Sequence, residues 1–96
     1  MNDYILLMHD DAAPASAEKW ARYIALLHGS GRFVGGSSIG GGICVRKDAV
    51  QREVTRHLAG FIRVFALDLD DARTLLAGNP VYEAGGTVEI RELPRE

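Results

Sequence analysis

Apolar residues run without a break through Ile5-Leu6-Leu7-Met8, and with Tyr4 and His9 they predict a first strand over 4–9 covered on both faces. Asp10-Asp11-Ala12-Ala13-Pro14 interrupts this run, and Pro14 or Ser16 opens a helix. Over 16–28 the positions Trp20, Tyr23, Ile24 and Leu27 recur at helical spacing and form one stripe, with Glu18, Lys19, Arg22 and His28 outside it. Gly29-Ser30-Gly31 ends this helix, and Arg32-Phe33-Val34-Gly35-Gly36 predicts a second strand. Glycines at 35, 36, 40, 41 and 42 predict a flexible bend or bulge before Ile43-Cys44-Val45-Arg46 resumes as strand. Lys47-Asp48 has turn chemistry, and the polar stretch 49–59 is compatible with a strand followed by a short helical turn. Residues 60–67, Gly-Phe-Ile-Arg-Val-Phe-Ala-Leu, predict another nearly continuous apolar strand.

Asp68 is a strong N-cap, and Asp71 stands where a capping box needs its second partner. The helix that follows turns Leu69, Ala72, Leu75 and Leu76 inward and stops at Gly78-Asn79-Pro80. After Gly85-Gly86 the segment 87–93 alternates between apolar and polar residues, which predicts a half-buried last strand. The order is β-α-β-β-α-β, an α+β ferredoxin-like arrangement with an antiparallel sheet. Two helices cover only one face of four strands, so the apolar open face calls for a cover, and a second copy packing sheet to sheet supplies it.

Composition narrows the picture. Ninety-six residues suit a single domain over 1–96, with a thin stability margin. One cysteine, Cys44, allows no intrachain disulfide, and three scattered histidines favour no metal site. Eleven basic against thirteen acidic residues argue against a broad nucleic-acid or anionic-membrane surface, and 47% apolar content excludes a disordered chain. The acidic start and the lack of a long apolar stretch point to neither a secretory signal nor a membrane span, so a cytoplasmic location is expected.

Tyr4-Ile5-Leu6-Leu7-Met8, Trp20-x-x-Tyr23, Gly31-Arg32-Phe33-Val34-Gly35-Gly36, Gly60-Phe61 and the tail from Gly78 to Leu93 together resemble the YCII-related (YciI-like, DGPF) family across the whole chain. The resemblance implies a dimeric α+β barrel. It also implies cofactor-free lyase, isomerase or dehalogenase chemistry on a small aromatic-derived or lactone-like compound. One branch pairs an Asp at the end of the first strand with a His on the first helix. Asp10 matches that acid, whereas Trp20 occupies the helix position. Another branch carries Asp-Gly-Pro-Phe followed by Glu, which falls on Asp48-Ala49-Val50-Gln51 and Glu53 with the middle three residues changed.

The candidate proton carriers are His9 and Asp10, at the end of an apolar strand. An ordinary histidine and a turn aspartate are the competing readings. Trp20 and Tyr23 are candidates for a pocket wall or for core, and Ser37 and Ser38 offer hydroxyls beside free backbone N–H groups to an anion. Arg46 is a candidate clamp for a substrate carboxylate, against the reading of a solvated loop with Asp48 and Glu53 interleaved. Cys44 reads as a small buried hydrophobe, His28 as a complement to the helix dipole, and Tyr82 and Glu83 as a turn near the partner subunit. No cofactor is expected. Two functions follow: acid–base catalysis in a cleft, or a non-catalytic ligand-binding or regulatory dimer that uses the same cleft.

Overall fold

The computed structural model describes residues 1–48, 50 and 52–95. Its elements are β1 (Asn2–His9), α1 (Ala17–Ser30), β2 (Phe33–Ser38), β3 (Leu58–Ala66), α2 (Leu69–Thr74), α3 (Pro80–Glu83) and β4 (Val88–Leu93). The strands form one antiparallel sheet in the order β2-β3-β1-β4, which is the ferredoxin-like α+β arrangement. Central β1 sets Leu6 opposite both Ile62 of β3 and Ile90 of β4.

Strand alternation decides what the helices cover. Tyr4, Leu6 and Met8 of β1 and Ile62, Val64 and Ala66 of β3 are buried with Tyr23, Leu27, Ala72 and Leu76 of the helical layer. The opposite face carries Ile5, Leu7, Phe61 and Phe65, which are only half-buried in the single chain.

The helix ends follow their capping chemistry. Ser16 Oγ accepts the Lys19 N–H at 3.3 Å, and Gly31, at φ 73°, closes α1 in the left-handed conformation that favours glycine. Asp68 Oδ1 accepts the Asp71 N–H at 2.8 Å. Asp71 in turn accepts the Leu67 N–H and the Arg32 guanidinium, which together hold its carboxyl below the usual range, the backbone bond contributing most.

Four expectations change. Leu69, expected inward on α2, is exposed, and Ala72 is the buried residue of that helix. The expected second strand through Gly36 runs on to Ser38, so the bend expected over 35–42 does not begin at Gly35; a Cβ at Gly36 would stand 2.5 Å from the Phe61 carbonyl oxygen, so the close approach of β3 requires glycine there. Residues 43–46 do not form a strand: the sole ladder contact of this segment among the described residues is an isolated bridge between Cys44 and Arg52, and Cys44 is exposed. Asn79-Pro80 starts a helix and does not end one, since α2 stops at Thr74 with Leu75 as its C-cap. Asn79 Oδ1 accepts the N–H groups of Val81 and Tyr82, and Pro80 fits the first helical position, where no donor is needed, so Tyr82 and Glu83 lie on α3. The sequence match at Ala49 and Gln51 lies outside the described residues.

Candidate functional site

A cleft of about 570 Å³ opens between α1 and the sheet, at the end where β1 gives way to the loop 10–15. Trp20 and Ile24 form its helical wall, Ala12, Ala13, Pro14 and Ala15 its loop wall, and Gly36 and Gly60 part of its floor. The two glycines leave main chain where side chains would otherwise fill the space. A Cβ at Gly60 would come within 3.1 Å of the Ser37 carbonyl oxygen. The polar lining comes from His9, Asp10, Ser37 and Ser38 against a mainly apolar surround, a composition typical of small-molecule sites.

The loop wall is pinned to β4. Asp11 accepts the Thr87 N–H at 2.8 Å through Oδ1 and the Thr87 hydroxyl at 2.6 Å through Oδ2. The hydroxyl bond, followed by the N–H bond, holds the Asp11 carboxyl below its ordinary value. Beneath it Gly86 is enclosed: a Cβ there would lie 2.7 Å from Ala12 Cβ, 2.7 Å from Val81 Cγ1 and 2.9 Å from Asp11 Oδ1.

Asp10 is exposed at the cleft mouth, its N–H donating to the His57 carbonyl at 2.7 Å. It also borders a second, shallower hollow formed by Ile39, Gly40, Gly41, Gly42 and residues 53–59, so it stands on the ridge between two depressions. His9 lines the first cleft, yet its ring is engaged elsewhere. Nε2 lies 3.1 Å from Glu89 Oε1, and the His57 ring meets it edge-on with centroids 4.9 Å apart. Glu89 is held below the usual carboxylate range first by the Arg91 guanidinium and then by His9.

Of the sequence candidates, His9, Asp10, Trp20, Ser37 and Ser38 are brought together around this cleft. Tyr23 and Arg46 are not. Tyr23 is fully buried, its ring 6.2 Å from that of Trp20 and its hydroxyl donating to the Leu75 carbonyl at 2.7 Å. Burial pushes its phenol up, with the Asn79 side chain offsetting part of the rise. Arg46 is exposed and paired with Asp48 at 3.1 Å, in the segment between β2 and β3. Glu89 was not a candidate on sequence, although the alternation of β4 and its register with β1, Leu7 opposite Glu89, place it on the face where His9 is reached.

No family model matches this chain, and no curated protein matches it. Among solved structures it is similar to 5-chloro-2-hydroxyhydroquinone dehydrochlorinase (TftG) from Burkholderia phenoliruptrix AC1100, in complex with 2,5-dihydroxybenzoquinone. The TM-score is 0.60 at 14% identity, over 98% of this chain and 95% of that one. The likeness is one of architecture: the two chains share the ferredoxin-like α+β arrangement with its four-stranded antiparallel sheet.

Proposed function

We propose that this chain, as a YCII-like homodimer of the cytoplasm, binds a small, flat, largely apolar organic molecule in the α1–sheet cleft and moves a proton on it without a cofactor. The cleft itself carries the reading. It is of small-molecule size, has an indole on one wall, a glycine floor that admits a planar ring, and a single carboxylate, Asp10, among its described lining residues. Asp10 is the proton acceptor: it takes the proton of an acidic O–H or C–H while the freed electron pair moves into the ring. Depending on the substrate, this either shifts a double bond, with the proton returned at another atom, or expels an anionic leaving group. The dehydrochlorinase that shares the fold acts on a ligand of this flat, hydroxylated kind, which supports the substrate class. Ser37 and Ser38 offer hydroxyl groups to a polar substituent. His9, with Nε2 engaged by Glu89, positions the strand end and carries no proton in this scheme.

A second reading, ligand binding without turnover, is favoured by one observation: an indole fills the helix position where the resemblance expects an imidazole, and indole is neither acid nor base in the useful range. One experiment separates the two. The parent chain is titrated with 2,5-dihydroxybenzoquinone and chlorinated hydroquinones while Trp20 fluorescence, melting temperature and chloride release are followed. Under the catalytic reading Asp10→Asn keeps binding and loses about 100-fold or more in rate, whereas Trp20→Ala weakens binding about 10-fold. Binding by the parent with no turnover moves the protein to the second reading. Absence of any melting shift or quenching across the series rejects both.

A further inference from the structure

Between β2 and β3 the chain leaves the body of the molecule. Every described residue from Ile39 to His57 is exposed, and Cβ atoms built on Gly40, Gly41 and Gly42 would meet nothing within 4 Å. The two limbs of this arm are joined by the Cys44–Arg52 bridge and by the Cys44 thiol against the Glu53 carbonyl at 3.3 Å. Two limbs with so little pairing among the described residues are marginal on their own in water. The arm nevertheless carries Ile39, Ile43, Val45, Val50 and Val54, five of the eleven large exposed hydrophobics, with Ile43 at 85% and Val45 at 79% exposure. β-Branched residues in such numbers suit a half-buried pleated surface that the chain itself does not provide. The arm also enlarges the molecule: the radius of gyration is 14.7 Å, against about 12.5 Å for a compact chain of this length.

We infer that the arm clasps a second copy of this chain, its Ile43 and Val45 side packing on the body of the partner. The inference rests on the homodimer reading above and adds the element that completes it. Area is the first argument. A stable interface takes about 800 Å² of accessible surface from each partner. Ile39, Ile43, Val45, Val50 and Val54 add exposed apolar surface beside β2 and β3 to that of the sheet face. Charge is the second. Arg46, Lys47, Arg52 and Arg56 against Asp48 and Glu53 give the arm +2, and with the chain at −2 the remainder carries −4. A basic arm and an acidic body on the same chain attract each other across two copies.

The test is sedimentation equilibrium on the full chain and on Ile43→Ser combined with Val45→Ser. Both positions are so exposed that the double change leaves the monomer fold and its circular dichroism unaltered. The parent is expected at twice the chain mass at micromolar concentration, and the double variant at a dissociation constant raised 10-fold or more. The apolar pair Ile43→Val with Val45→Ile is expected to behave as the parent. Backbone hydrogen exchange over 43–46 should slow as the parent is concentrated. A parent dimer with the serine variant equally dimeric, or with exchange over 43–46 independent of concentration, overturns the clasp and leaves a sheet-face dimer standing. A parent that stays monomeric at about 1 mM overturns the clasp and the homodimer together.

Discussion

Replacing Gly86 with alanine tests whether the cleft wall and the start of β4 are one packed unit. The added methyl would lie 2.7 Å from Ala12 Cβ and from Val81 Cγ1, and 2.9 Å from Asp11 Oδ1. Ordinary carbon contacts lie at about 3.5 to 4.0 Å, so roughly 1 Å of movement is required. Two of the obstructing atoms cannot simply rotate away: Ala12 Cβ has no side-chain torsion, and Val81 is stiff about its first. The loop must therefore withdraw, loosening the Asp11 clamp on Thr87 that holds it. Overpacking of this kind costs about 1 to 3 kcal/mol. For a domain of this size that lowers the melting temperature by about 5 to 20 °C. The backbone at Gly86 is not in the left-handed region, so the loss is steric and not conformational. The assay is thermal denaturation followed by circular dichroism, with Ala12→Gly added to the same chain as the control. Removing the Ala12 methyl should recover part of the lost melting temperature. A Gly86→Ala melt within about 2 °C of the parent, or no recovery with Ala12→Gly, would refute the packing argument.

Tyr23→Phe removes the hydroxyl bond to the Leu75 carbonyl and should cost about 1 kcal/mol, a melting drop of about 4 to 8 °C. A phenylalanine variant as stable as the parent would contradict this. Acid should destabilise the fold through Asp11, Asp71 and Glu89, all held below their ordinary values near 3.8 and 4.5. Their contribution is full above those ordinary values and is lost as pH falls through the lower folded ones, so urea midpoints should fall below about pH 4. In Thr87→Val, which removes the largest cause of the Asp11 shift, this acid-side loss should be smaller; a gap between variant and parent that is constant from neutral pH to about pH 3 would refute the assignment.

Local chemistry was the legible part of the sequence. The Ser16 and Asp68 caps, the Gly31 stop and the apolar runs of β1 and β3 each act within a few residues, so their consequences can be read in order along the chain. The reason for Gly36 is non-local: β3 passes too close for a Cβ there, and that cannot be seen in a run of glycines. Asn79-Pro80 reads as a stop, but α2 has already ended at Thr74, and the two residues instead satisfy the next helix start. Ile43-Cys44-Val45 has the composition of a strand without a sheet beside it, so propensity alone placed it wrongly. At the site, the strand end and the Trp20 position were visible from spacing. The link from His9 to Glu89 spans the chain and depends on which strand lies next to β1, which no local pattern specifies.

The central place of β1 has a consequence for synthesis. Its neighbours in the sheet are made after it, since Leu6 pairs with Ile62 and Ile90. At about 5 to 20 residues per second, the first strand waits for several seconds before β3 exists and longer before β4 does. Throughout that interval Ile5-Leu6-Leu7-Met8 is an apolar stretch without a single charge and with both edges unpaired. The nascent chain is therefore vulnerable to aggregation at this strand. Translation rate and chaperone access should govern the yield of folded protein more than the stability of the finished fold.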